Sequence, residues 1–260
     1  MPTTRRALMI ASPGEDGAAN YCKGVYVDVQ NYIHLMTSAT GGAWDGRDIA
    51  NGGEIKVLDK PSAKEVRLWL ADFSKYDYTL VMFTGHGWFS NPDKDRILEL
   101  KKGEAIASVE LLQGTKKRTL ILDCCQVVHN DSLLQKRAQM ESFSNQAQGR
   151  TPNREACRNL FLNRIAAASP GFVKMFSCKP GEKSYINNET GSYYNSSLLD
   201  CADEWVKQQA RNPWGGSAAL SVTEVHVPAT VATSKRSGGF QNPDIDYNKT
   251  GPYFPFAVFA

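Results

Sequence analysis

The sequence lacks any apolar run longer than a β-strand. A membrane-spanning helix needs about 20 consecutive apolar residues, so we expect no membrane span. The strand-like run at residues 7–10 is also too short for the apolar core of a secretory signal, so no leader is expected. A glycine-rich Gly-x-Gly-x-x-Gly pattern is missing after this first run, which makes a Rossmann-type nucleotide binder a remote alternative.

A strong charge of one sign is also missing. The chain has 30 basic and 27 acidic residues and a net charge of +3, a dispersed excess too small to indicate nucleic-acid binding. Its six cysteines are scattered and two are adjacent, which favours reduced thiols over a disulfide framework. We therefore expect a cytoplasmic protein. Its 260 residues suit one α/β domain with a sizeable core.

Two short polar motifs stand directly after two apolar runs. Residues 78–84 precede a Gly-His-Gly motif centred on His86, and residues 119–122 precede Asp-Cys-Cys-Gln, which contains Cys124 and Cys125. Both runs are rich in β-forming residues and are typical of buried strands. Reactive groups of open α/β sheets lie just past the carboxyl ends of such strands. The imidazole and a thiol are therefore predicted to lie side by side as a Cys/His dyad.

Each motif alone also has a purely structural explanation. Cysteine is among the most buried residue types, and a Gly-His-Gly sequence forms a tight turn without any catalytic role. The two glycines that flank His86 favour the functional interpretation, because glycine lets the backbone approach a substrate closely.

The remaining patterns predict alternating strands and helices. A capping box at Ser62 begins one helix between two strands, and this βαβ order requires a parallel sheet. The other predicted elements are strands at 7–11, 54–58 and 172–177, a hairpin at 97–107, helices at 20–38, 153–167 and 191–209, and a closing edge strand at 253–259.

The two motifs resemble those of a known family. Residues 84–87 are similar to the Ser-Gly-His-Gly motif of metacaspases and other caspase-like cysteine peptidases, and residues 122–126 resemble their Asp-Cys-Cys-His motif. The resemblance implies an α/β caspase-like sandwich, with a central, mostly parallel sheet of about six strands and helices on both faces. It also implies a single domain over residues 1–260. Its large-subunit-like portion is 1–126, its polar linker is 127–153, and its small-subunit-like portion is 154–260.

The same resemblance assigns catalytic roles. It makes His86 the general base and Cys125 the nucleophile, while Cys124 is expected to pack in the core. The backbone N–H groups of Gly87 and Cys125 would stabilise the oxyanion. The chain departs from the family after the nucleophile, where Gln-Val-Val at 126–128 replaces the usual His-Ser-Gly. No third member of a triad is evident, so a dyad is predicted.

Substrate specificity is predicted from two carboxylates. By resemblance, Asp28 and Asp123 line the pocket for the residue before the cut bond, and an acidic pocket binds Arg or Lys. The prediction is therefore cleavage of protein or peptide substrates after basic residues. Three alternatives remain open: an Asp-directed peptidase, a non-catalytic scaffold that binds a partner through the same groove, and a turn-capping role for Asp123.

The polar segment 127–153 predicts control by proteolysis. Possible cut positions, made by the protein itself or by an activating protease, are Lys136, Arg137, Arg150 and Arg154. A role in bacterial defence or cell death follows only by analogy from fold.

No cofactor is expected. Asp93 and Asp95 could together bind calcium, but two carboxylates on a loop are more often solvated.

Overall fold

A computed structural model of the chain describes residues 3–124, the backbone of 126–128, and residues 149–260. No helix among these residues is both long and apolar enough to cross a membrane. Cys125, and most of the predicted linker with Lys136 and Arg137, lie outside the described residues.

The described residues form an alternating series of strands and helices. The strands are β1 (Arg5–Ser12), β2 (Ile55–Asp59), β3 (Tyr78–Gly85), β4 (Gly87–Ser90), β5 (Asp95–Lys101), β6 (Glu104–Ala107), β7 (Lys117–Asp123), β8 (Gln126–Val128), β9 (Gly171–Phe176), β10 (Ser184–Asn187), β11 (Gly191–Ser192), β12 (Ala218–Ser221), β13 (Asp244–Tyr247) and β14 (Pro255–Phe259). The α-helices are α1 (Gly24–Thr37), α2 (Ala63–Phe73), α3 (Arg154–Ala167), α4 (Tyr193–Arg211) and α5 (Val222–Arg236), and two short 3-10 helices span Ile49–Asn51 and Ser108–Leu112.

The centre of the fold is a six-stranded sheet in the order β13-β9-β7-β3-β1-β2. Neighbouring strands run parallel, except that β13 is antiparallel to β9. Every residue of β3 is buried, as expected for a strand covered on both faces. Alternate residues of β1 pack into two cores: Met9 contributes to a core with α1, α3, α4 and α5, and Leu8 to a core with α2. The predicted central, mostly parallel sheet of about six strands with helices on both faces is thereby confirmed.

The predicted strand at the chain's end has a different position. β14 forms, but it pairs with β12 in a separate two-stranded sheet. The edge of the central sheet is instead the short, half-polar β13. β13 has only four residues, which alternate Asp, Ile, Asp and Tyr. Edge strands are often short and charged, so they lack the apolar run that predicts a buried strand.

Ionic contacts and strand pairing join the two portions on either side of the linker. β7 lies before it and pairs directly with β9, which follows it. Glu54 accepts from the buried Arg5 on β1 and from Arg158 on α3, at 3.2 and 2.8 Å respectively. The large-like and small-like portions therefore share one sheet and one set of ion pairs.

Candidate active site

The carboxyl ends of β3 and β7 meet at one edge of the central sheet. Thr84 near the end of β3 is directly opposite Asp123 at the end of β7. His86 follows β3, and Cys124 follows β7. The two sequence motifs therefore leave the sheet at the same edge, as predicted, although Cys125 itself lies outside the described residues.

His86 is held by a loop that precedes α1. Its Nε2 atom lies 2.8 Å from the backbone oxygen of Asn20. A carbonyl oxygen only accepts hydrogen bonds, so Nε2 carries the proton, and Nδ1 is the ring nitrogen left to take one up in the neutral imidazole. The residue is 9% exposed. The Asn20 carbonyl thus supplies the orienting group that the sequence did not reveal.

A second cysteine lies beside this imidazole. The sulfur of Cys22 is 3.8 Å from His86 Nε2 and 3.3 Å from the Asn20 oxygen. Burial, together with the charge of Asp123, raises the pKa of Cys22 to about 11. Cys22 is therefore a neutral thiol near pH 7, which makes it a poor nucleophile despite its position.

Packing against the protein interior leaves no room for a side chain at position 87. A Cβ atom there would come within 2.9 Å of the Cys124 Cβ and 2.6 Å of the Ile97 carbonyl oxygen. Cys124 is fully buried in the α2-side core. Glycine is therefore needed at position 87 for close contact with the protein's own interior, in addition to the close substrate approach predicted from the sequence.

Asp28 is a buried carboxylate with three hydrogen-bond donors. Its Oδ1 accepts from the Ser192 amide at 2.9 Å. Its Oδ2 accepts from the Thr84 hydroxyl at 2.9 Å and the Asn195 amide at 3.1 Å. Gly191, with φ of +79°, allows this approach, since a Cβ there would stand 2.2 Å from Asp28 Oδ1. Asp28 thereby links α1, β3 and the start of α4.

Asp123 is the second buried carboxylate. It is 0% exposed, and its Oδ1 accepts from the Ser184 hydroxyl at 2.6 Å. Burial, followed by the charge of Asp123, raises the pKa of Asp28 to about 7, against the opposing effect of its hydrogen bonds. Thr84, which donates to Asp28, lies opposite Asp123 in the sheet, so the structure places the two carboxylates close together at the carboxyl ends of β3 and β7. Their partners Ser184, Ser192 and Asn195 carry no local sequence signal for this role.

Asp93 and Asp95, the two carboxylates considered for calcium, have protein partners. Asp95 accepts from the Ser108 hydroxyl and the Val109 amide, and so caps the 3-10 helix that follows β6. Asp93 accepts from Ser90 at 2.5 Å. Among the described residues no three His, Cys, Asp or Glu side chains form a group that could hold a metal ion.

Of the predicted cut positions, two are described. The Arg150 amide donates to the Ala210 carbonyl at 2.9 Å. Arg154 is the first residue of α3, and its guanidinium donates to the Thr37 carbonyl at 2.6 Å.

Comparison with known proteins agrees with the fold. The chain is similar to caspase-1 of Spodoptera frugiperda, with a TM-score of 0.54 and 14% identity over 94% of this chain and 86% of that one. At this identity the likeness concerns the fold alone. No curated protein matches the sequence. The family model of the caspase domain matches residues 4–252, nearly the whole chain. The protein therefore belongs to the caspase domain family of peptidases.

Proposed function

We propose that this protein is a cysteine endopeptidase that cuts after Arg or Lys. The observation that carries the proposal is the pair of buried carboxylates, Asp28 and Asp123, at the same sheet edge as His86. Two carboxylates in a buried site disfavour each other's charge, and a cation between them relieves this cost. A guanidinium or ammonium group before the scissile bond supplies that cation.

In the proposed reaction, the Cys125 thiol passes its proton to Nδ1 of His86 and its sulfur attacks the scissile carbonyl carbon. The N–H of Gly87 stabilises the oxyanion that forms. The C–N bond then breaks, and His86 returns the proton to the leaving amine. Water attacks the thioester with His86 as the base, which releases the new carboxyl group and restores the thiol.

The arrangement around His86 supports this assignment. The proton on Nε2 is fixed by the Asn20 carbonyl, so Nδ1 is the atom that exchanges a proton with the substrate. The amide of Glu99 donates to the His86 carbonyl at 3.0 Å, which fixes the backbone next to Gly87. A base in a fixed tautomer needs little reorganisation during the reaction.

A peptide series tests the specificity. Three peptides carry Arg, Lys or Asp before a reporter amide and are otherwise identical. We expect measurable turnover of the Arg and Lys peptides and none of the Asp peptide, with Cys125→Ala as the inactive control. Faster turnover of the Asp peptide would establish the Asp-directed alternative instead.

A non-catalytic scaffold is the second candidate. Asp28 accepts hydrogen bonds from three protein donors, which a purely structural role would also produce. An electrophilic warhead placed after Arg separates the two candidates. Covalent labelling at Cys125 supports the peptidase, and a scaffold would remain unlabelled.

Processing within residues 127–153, by the protein itself or by another protease, is proposed as the control of activity. We expect fragments to appear on incubation of the purified wild-type protein but not of Cys125→Ala. Identical behaviour of the two proteins would remove self-processing.

A further inference from the structure

The strand β4 lies directly next to the proposed catalytic base. It begins at Gly87, the residue after His86, and occupies one end of the sheet β4-β5-β6. Within the part of the chain that the structure describes, β4 pairs only with β5. One edge of β4 is therefore without a strand partner there.

Hydrogen bonding determines which backbone groups line this edge. Because the Glu99 amide donates to the His86 carbonyl, Gly87 and Leu98 form a non-hydrogen-bonded pair. The N–H and C=O of Gly87 therefore point away from β5. Antiparallel pairs alternate, so those of Phe89 do the same. Among the residues that the structure describes, the outer edge of β4 therefore presents backbone donors and acceptors without a strand partner at alternate residues.

Trp88 lies on the opposite face of β4 from the core. A side chain at Gly87 would point at Cys124, so the next residue points outward. Trp88 is 49% exposed. It is paired with Ile97, which is paired with Ala107, and both are half-buried. These three side chains form an apolar strip across the outer face of the small sheet.

The chemistry of the leaving group links this surface to the substrate. His86 has to protonate the amine that departs, so the substrate residue after the cut begins within hydrogen-bond reach of the imidazole, about 3 Å. A strand advances about 3.3 Å per residue, which places Trp88 about 7 Å further along β4. This is the distance over which the first two residues after the cut extend.

We propose that the outer edge of β4 binds the substrate segment after the scissile bond as an added strand, and that Trp88 selects an apolar residue in the first two positions of that segment. Strand addition provides affinity through the backbone, and side-chain contacts provide selectivity. Trp88 is a binding residue in this inference, which rests on the proposed peptidase function.

Two substrates with the same residues up to Arg test the inference. One carries a coumarin amide after Arg, and the other continues as a peptide with Leu in both of the next two positions. For each protein we take the ratio of kcat/KM on the extended peptide to kcat/KM on the amide. We expect Trp88→Ala to lower this ratio about tenfold relative to wild type, since truncation of a central aromatic residue commonly costs this much. Trp88→Phe should keep most of the wild-type ratio.

Trp214→Ala is the matched control. Trp214 is 93% exposed and lies beyond the far end of α4, whose first turn holds Asp28. Its substitution should leave both rates unchanged. An unchanged ratio in Trp88→Ala, with both substrates still cut by the wild type, would overturn the inference alone. A wild type that cuts neither substrate would overturn the proposed function and the inference together.

Discussion

The imidazole of His86 donates from Nε2 to the backbone oxygen of Asn20 at 2.8 Å, so the orienting group is main chain and not a side chain. We therefore expect Asn20→Ala to retain near wild-type kcat/KM on the Arg peptide, because the carbonyl remains and the Asn20 side chain is exposed. His86→Ala should lose at least about 100-fold, the usual contribution of a general acid-base group. Steady-state kinetics on both variants measures this difference. Equal losses in the two variants would contradict the backbone role.

Cys22 and Cys125 should differ sharply in reactivity. The pKa of Cys22 is raised to about 11 by burial and by Asp123, so its thiol stays protonated at neutral pH. We expect iodoacetamide at pH 7 to modify Cys125 first, as measured by mass spectrometry of peptides. Activity should disappear in Cys125→Ala and persist in Cys22→Ala. Faster alkylation of Cys22 would identify the other cysteine as the reactive one.

Asp28 should make the protein less stable as pH rises. An unfolded Asp loses its proton near pH 4, whereas burial and Asp123 raise the pKa of folded Asp28 to about 7. The folded state therefore holds more protons between these values, and this group's contribution to stability falls as pH rises from about 4 to about 7. We expect Asp28→Asn to flatten that slope in urea unfolding measured at several pH values, and also to lower kcat/KM for the Arg peptide.

A surface carboxylate provides the control for that variant. Asp16 has a side chain that is 75% exposed and contacts Lys60, so Asp16→Asn should change neither the slope nor the activity. If Asp28→Asn kept full activity on Arg peptides, the pocket role of Asp28 would be wrong.

The contribution of His226 to stability should depend on pH in the opposite direction to that of Asp28. It is buried between Tyr194 at 2.7 Å and Thr230 at 3.2 Å, and burial lowers its pKa to about 4, with Asp244 opposing. The unfolded chain binds this proton near pH 6.5, so the contribution of His226 to stability is lost as pH falls from about 6.5 to about 4.

Thermal unfolding between pH 4 and 7 measures this effect. We expect the loss of stability at low pH to be smaller in His226→Gln and unchanged in His34→Gln, since His34 is exposed. If His226→Gln lost as much stability at low pH as the wild type, another group would be responsible for that loss.

The sequence predicted the central sheet well because its signals are local. The runs at β3 and β7 are short, apolar and bounded by turn residues, and each forms a buried strand. Ser62 caps α2 through the Glu65 amide, as its capping box predicted.

The parts that the sequence did not predict depend on tertiary contacts. The first apolar helix was predicted from residue 20, but α1 begins at Gly24. The residues before it form the loop that brings Asn20 and Cys22 to His86. β4 was missed because it has only four residues, and the first of them, Gly87, is the last glycine of the Gly-His-Gly turn signal. Two of the three donors around Asp28, Ser192 and Asn195, come from a segment 164 to 167 residues away in the chain, a distance that no local pattern spans.

The pairing of β7 with β9 has a consequence for a cleaved chain. Six consecutive residue pairs, from Lys117 with Gly171 to Leu122 with Phe176, join the pieces on either side of residues 129–148. Hydrolysis within that interval would therefore yield two polypeptides that migrate together in gel filtration and come apart only in denaturant. Such a cut would be visible as a change in electrophoretic pattern, while the particle in solution kept its mass.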